Sequence, residues 1–152
     1  MTRLTAMSSC VAALMSAACI HTEPPVSLPP VAEGVGEVRV VARVGCSQPS
    51  PGSGDLCSVI SSPEGVASIV AFVNARPDGW STPFAGAPIH PVRIEFYRDG
   101  RFVEALGLSA FSFERRTFLS RRASRAEVDE VLGLVGLDRS NLRFRVDDPI
   151  PE

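Results

Sequence analysis

Apolar side chains recur at helical spacing in two stretches of the chain. In the first, Val66 is followed by apolar residues three, four and seven positions later, which is the stripe of an amphipathic helix. Ser62 suits the N-cap and Pro63 the first helical position, while Pro77 ends the helix. The pattern predicts one helix that covers an apolar surface.

The second stretch has the same spacing. Ser124 and Glu127 stand three residues apart, as in a capping box. An apolar stripe starts at Val128, and Gly136 closes the segment, as expected at the C-terminal end of a helix. A second amphipathic helix is therefore predicted after Ser124.

Alternation of apolar and polar residues is typical of strands, and it fills much of the remaining sequence. Residues 37–44 predict the first strand, and residues 92–108 predict a hairpin that turns at Asp99-Gly100. Residues 113–120 and 142–146 predict two further strands.

The apolar positions of the hairpin predict its register. Phe96 is expected opposite Val103, so that both lie on one apolar face, while Glu95 and Glu104 face each other on the polar side. A slip by one residue would set Phe96 against Glu104 and place a charge on the apolar face, so the first register is favoured.

These elements run in the order β-α-β-β-β-α-β, with an antiparallel hairpin at the centre. The two helices each need an apolar surface to cover. The sequence therefore predicts an α+β fold, a two-layer sandwich with a mainly antiparallel sheet of about five strands and both helices on one face. Residues 37–149 would form this single domain, which is large enough for one modest core.

The first 18 residues have the layout of an export signal. Arg3 is followed from Leu4 by a mostly apolar run that ends in small residues. The run is shorter than the roughly 20 residues that span a bilayer, and serines interrupt it. It also lacks a helical stripe, which argues against an ordinary first helix of the domain.

Ser16-Ala17-Ala18-Cys19 closes this segment and resembles the lipobox of bacterial lipoproteins, in which small residues precede the cysteine that becomes the lipidated first residue. Ser16 stands where that family usually has leucine. The resemblance implies acyl chains on Cys19 and, because Ile20 is not aspartate, transfer to the outer membrane in a host that has one. Cleavage without lipidation, giving a secreted protein, is the alternative.

Residues 19–36 are rich in proline and small residues and have no periodic apolar pattern. They predict a tether with polyproline II character. At about 3.1 Å per residue, it would hold the domain up to about 45 Å from the bilayer.

The four cysteines support export. Removal of the signal discards Cys10, and lipidation uses Cys19, which leaves Cys46 and Cys57. A disulfide between them is predicted in an oxidising compartment, and it would contribute about 3 kcal/mol by loop closure. A zinc site would need four ligands, and the sequence offers a poor set.

Composition narrows the function classes. Hydrophobic residues make up 45% and charged residues 21%, as in globular domains. The net charge of −2 argues against a nucleic-acid partner. All 15 basic residues are arginine, so lysine-based catalysis is excluded.

The sequence shows no catalytic, cofactor or metal-binding motif. Glu95 and Glu104, expected close together, and His90 are the residues that a small secreted enzyme would use. A salt-bridged surface and a structural histidine are the competing interpretations.

Two segments suggest binding. The first is rich in arginine, whose guanidinium suits phosphate and carboxylate, and its candidate anion-binding residues are Arg115, Arg116, Arg121, Arg122 and Arg125. The second is the loop 76–91, where Trp80 and Phe84 are candidate partner contacts. The competing interpretations are a solvated edge for the arginines and, for Trp80 and Phe84, two rings that cap the edge of the sheet.

These observations predict a membrane-anchored envelope lipoprotein with a non-catalytic binding module. Its expected partners are the lipid bilayer, through the N-terminal lipid, and an envelope protein or anionic envelope polymer. No cofactor is predicted. An assembly protein that uses the Trp80 loop is a further alternative.

Overall fold

The computed structural model describes residues 24–46, 55–83, 90–116 and 118–152. Its elements, in chain order, are β1 (Glu37–Ala42), β2 (Asp55–Ile60), α1 (Pro63–Asn74), β3 (Val92–Arg98), β4 (Arg101–Leu108), β5 (Ser112–Arg115), β6 (Leu119–Arg122), α2 (Arg125–Leu134) and a short 3₁₀ helix (Arg139–Leu142).

The strands form one antiparallel sheet in the order β2-β1-β3-β4-β5-β6. The apolar stripes of both helices and alternate residues of the central strands share one hydrophobic core. Phe72 of α1, for example, meets Phe113 of β5 edge-on at 5.8 Å between ring centroids. The predicted α+β sandwich with both helices on one face of the sheet is confirmed.

Both helix starts are also confirmed. The Ser62 hydroxyl accepts a hydrogen bond from the Gly65 amide at 3.3 Å. At α2, the Ser124 hydroxyl accepts from the Glu127 amide, and the Glu127 carboxylate accepts from the Ser124 amide at 2.8 Å. These caps satisfy backbone donors that the first helical turn leaves unpaired.

The strand predictions missed one strand and are wrong for two segments. β2 was not predicted, because this half-buried edge strand has little alternation. The single strand predicted over 113–120 is instead the hairpin β5–β6. The strand predicted over 142–146 is absent from the described chain: the 3₁₀ helix ends at Leu142, and Phe144 and Val146 lie exposed.

The β3–β4 register is correct only near the turn. Asp99 and Gly100 both have positive φ, 49° and 71°, as the favoured two-residue turn requires. Tyr97 pairs with Phe102 as predicted, but a bulge then shifts the register and places Phe96 opposite Glu104. Beyond the bulge, the strands therefore adopt the register in which Phe96 faces Glu104, which the sequence pattern disfavours.

The described part of the predicted tether packs against the domain. Leu28 and Val31 are buried in the core. Val26 and Trp80 exchange backbone hydrogen bonds of 2.7 and 3.2 Å, and the Val31 amide donates to Asn74 Oδ1 at 2.7 Å. This segment is therefore part of the fold and does not act as an extended spacer. Residues 19–23 lie outside the described chain.

The predicted disulfide is present. Cys46, just after β1, is bonded to Cys57 of β2, with the two Cα atoms 4.7 Å apart. It fastens the outermost strand of the sheet to its neighbour.

Candidate functional site

The helices cover only one face of the sheet, and residues of the other face line most of a cavity of about 600 Å³, to which Pro30, Ala32, Glu104 and Arg115 also contribute. Ala105 and Gly107 of β4 line it. Both alternate with buried Leu106 and Leu108, so they point away from the core. Because neither has a bulky side chain, the cavity reaches down to the backbone of the central sheet.

Exposed arginines line this cavity. Arg93 of β3 is half exposed and lies 3.1 Å from Glu95 Oε1. Arg116, after β5, is also about half exposed. Arg43, after β1, is exposed, and its guanidinium lies 5.9 Å from the Phe144 ring centroid. Each guanidinium carries five N–H donors, so these contacts leave donors that face solvent.

His90 and Glu114 also line the cavity. His90 lies directly on Gly107, because a Cβ at that glycine would come within 2.8 Å of His90 Cγ. His90 Nδ1 is 3.4 Å from Glu114 Oε2. The absence of a side chain at Gly107 therefore lets the imidazole pack against the sheet.

A buried ion pair stands at the opposite end of the lining. The bulge turns Glu104 toward the core, where its carboxylate accepts a hydrogen bond from Arg115 Nε. Arg115 is only 1% exposed, and its Nη2 donates to the Pro29 carbonyl at 3.2 Å. Its Nη1 is buried and has no hydrogen-bond partner within the described chain.

A polar cluster on the same face positions Arg93. Tyr97 donates a hydrogen bond to Glu95 Oε2 at 2.8 Å, while Arg93 contacts the other carboxylate oxygen. The pKa of Tyr97 is raised, first by burial and then by its hydrogen bond to Glu95. Arg39 stacks over the Tyr97 ring at 4.2 Å. Glu95 is thus held by its neighbours and in turn holds Arg93 beside the cavity.

The proposed carboxylate pair does not form. Glu95 lies opposite Ala105 on the open face, whereas Glu104 is buried on the core face. The enzyme hypothesis required Glu95, Glu104 and His90 to converge, and Glu95 is not part of the cavity lining. His90 and Glu104 both line the cavity, although the Glu104 carboxylate is hydrogen-bonded to Arg115.

The five arginines of the predicted anion-binding patch do not form one surface. Arg115 is buried, and Arg116 belongs to the cavity. Arg121 Nη2 contacts Glu127 at 2.9 Å, while Arg125 lies 3.8 Å from Asp129. Arg122 is exposed. The patch prediction is wrong as a unit because the five arginines lie in β5, in the turn after it, in β6 and in α2, where their side chains have different neighbours.

Arg121 has a structural role, because it binds the Glu127 carboxylate at the start of α2. Burial alone would raise the pKa of Glu127, but hydrogen bonds from Ser124, Arg121 and Arg76 outweigh it and lower the pKa to about 2. Arg121 and Arg76 therefore fix the start of α2 and are not available as a ligand-binding pair.

Trp80 is not an exposed partner contact. It is 1% exposed within the core, and its indole N–H donates to the Arg76 carbonyl at 2.9 Å. Phe84 lies outside the described residues.

Sequence reasoning missed Arg43, Arg93 and the cavity floor. The available signal was the pair of small residues at alternate positions of β4, Ala105 and Gly107, which leaves a depression on one face of a sheet. The arginines gave no signal, because their distance in sequence hides their proximity.

No family model, curated protein or solved structure matches this chain. Within the described ranges, no three histidine, cysteine or acidic side chains are grouped closely enough to hold a metal ion. None of the helices in that part of the chain has the length and apolar character to cross a membrane.

Proposed function

We propose that this protein is a membrane-anchored envelope lipoprotein, attached through Cys19, and that its domain is a non-catalytic module that binds an anionic ligand on the open face of the sheet. The observation that carries the binding proposal is the cavity over Ala105 and Gly107, lined by Arg43, Arg93 and Arg116.

Charge supports an anionic ligand. The lining contains four arginines and two glutamates, although the chain as a whole has a net charge of −2. A concave surface with an excess of one charge concentrates ligands of the opposite sign. Exposed guanidinium groups also match the planar geometry of carboxylates and the oxygens of phosphate.

The surface is also partly apolar. Phe102 and Val103 line the cavity beside the arginines, and Phe102 is half exposed. A ligand that carries both negative groups and apolar segments fits this lining better than a small inorganic ion. An acidic stretch of an envelope polymer or envelope protein has that chemistry.

Export rests on the signal-like first 18 residues and on the lipobox-like sequence that ends at Cys19. The disulfide between Cys46 and Cys57 supports it, because such bonds persist in oxidising compartments. Mass spectrometry of the membrane-extracted protein tests the anchor: the first residue should be Cys19 carrying acyl chains. A chain that still begins at Met1 would refute the anchor.

Ligand binding is tested with an oligoglutamate probe and isothermal titration. Arg93→Ser should weaken binding at least tenfold, because it removes a charge-assisted contact worth about 1.5–3 kcal/mol. Arg101→Ser, at the exposed β3–β4 turn and outside the cavity lining, is the matched control and should leave the affinity unchanged. Equal affinities for both variants would refute the site.

A further inference from the structure

The packed N-terminal segment limits how far the domain can stand from an anchor at Cys19. Pro24 is the first described residue, and Val26 already pairs with Trp80. Cys19 precedes Pro24 by five residues. Fully extended, five residues span at most about 18 Å, so an acylated Cys19 would hold this side of the domain near the lipid headgroups.

The side in question is the β6 edge of the sheet. Val26 pairs with Trp80, and the next residue, Ser81, pairs with Ser120 of β6. Neighbouring extended chains lie about 4.8 Å apart. Two such steps place β6 roughly 10 Å from Val26, well within reach of the same bilayer surface.

This edge presents aromatic and basic side chains to solvent. Phe118, in the turn before β6, is 52% exposed and has a φ of 90°, a backbone region that is costly for a bulky residue. Arg122 follows it on β6 and is exposed, whereas Arg116, which precedes it, lines the cavity. Val26, the nearest of these residues to the anchor in sequence, is 44% exposed.

Nearby negative charge is partly neutralised. Glu127 is bound by Arg121 and Arg76, and Glu104 is buried against Arg115. Asp78, which is exposed, accepts a hydrogen bond from the neutral Ser27 hydroxyl and keeps its charge. Arg122 makes no ion pair within the described residues, which leaves its charge available to an external anion.

We infer that this β6 edge, defined by Val26, Phe118 and Arg122, contacts the membrane and binds anionic phospholipid headgroups. The inference rests on the proposed anchoring at Cys19. The Arg122 guanidinium near an anionic bilayer attracts its phosphates, and the aromatic ring of Phe118 inserts at the boundary between headgroups and acyl chains. The acyl anchor attaches the protein to the membrane, and the β6 edge provides a second contact. Two contacts together fix the orientation of the domain on the bilayer.

The test uses the acylated protein, reconstituted into vesicles of phosphatidylcholine alone or with added phosphatidylglycerol. Hydrogen exchange of residues 118–122 should slow when phosphatidylglycerol is present, and Arg122→Ser or Phe118→Ser should abolish the change. Arg101→Ser and Val59→Ser, exposed residues at the β3–β4 turn and on β2, are the matched controls and should retain it. Identical exchange in both vesicle types would overturn the inference.

A second measurement separates this surface from the anchor. The unacylated chain from residue 20 onward keeps every residue of the hydrophobic core, and it is sedimented with the same two vesicle types. It should bind the anionic vesicles weakly, and Arg122→Ser should lower that binding about fivefold. Acylation at Cys19 without any preference for anionic vesicles would overturn the β6 contact alone. A preference of this chain for anionic vesicles, together with a native protein that carries no acyl chain on Cys19, would refute only the anchor.

Discussion

Removing one partner of the Glu104–Arg115 pair should be among the most destabilising single changes in the domain. Glu104→Met leaves the Arg115 guanidinium, 1% exposed, with only the Pro29 carbonyl as a hydrogen-bond partner in the described chain. Breaking a buried pair in this way costs about 3–5 kcal/mol. With a urea slope of about 2 kcal/mol per M, the unfolding midpoint should fall by about 2 M.

The assay is urea unfolding followed by tryptophan fluorescence. Trp80 is the only tryptophan in the chain and lies in the core, so its emission reports the loss of tertiary structure. The double change Glu104→Met with Arg115→Met replaces both charges by apolar groups of similar length, and it should recover most of the lost stability. A single variant within about 1 kcal/mol of the unchanged protein, or a double variant as unstable as the single, would refute the reasoning.

Three further predictions follow from other contacts. Gly107→Val should displace the His90 ring, because a Cβ at position 107 comes within 2.8 Å of it. We expect the free energy of unfolding in urea to fall by about 1–3 kcal/mol and oligoglutamate binding to weaken. Unchanged binding would show that His90 and Gly107 are not part of the binding site. The lowered pKa of Glu127, about 2, stabilises the folded state above its ordinary value of 4.5, and this contribution is lost as the pH falls from 4.5 toward 2. The stability difference between the unchanged protein and Glu127→Gln should therefore shrink over that interval, and a constant difference would contradict it. Reduction of the Cys46–Cys57 disulfide should lower the free energy of unfolding by about 2–5 kcal/mol, measured with and without a thiol reductant; coincident curves would show that the bond has no stabilising role.

The helices were predictable because their signals are local. Ser62 and Ser124 each cap the first turn of the helix that follows them, and the apolar stripe of each helix is visible in the sequence within one or two turns. The Asp99-Gly100 turn is local for the same reason. In each case the residues that specify the structure lie within a few positions of the structure itself.

The hairpin register failed because its cause is not local. Binary patterning treats Glu104 as a surface residue, since a buried carboxylate without a partner is costly. Its partner, Arg115, lies 11 residues away on another strand. Only the assembled sheet shows that the charge is compensated.

The C-terminal strand failed for a related reason. Residues 142–146 alternate like a strand, but alternation does not supply a neighbouring strand with free backbone groups. The backbone there follows the 3₁₀ helix, in which Asn141 turns inward and donates to the Val44 carbonyl at 3.0 Å. The cavity escaped prediction because its arginines come from three separate elements.

The pairing of Val26 with Trp80 also constrains the order of events during synthesis. The two residues are 54 positions apart, so Val26 cannot pair with Trp80 until more than half of the chain has been synthesised. Any enzyme that cleaves or acylates near Cys19 while the chain emerges would meet an extended strand without its partner. Once the domain closes, only a few residues separate that cysteine from a folded surface, and late modification would become sterically difficult.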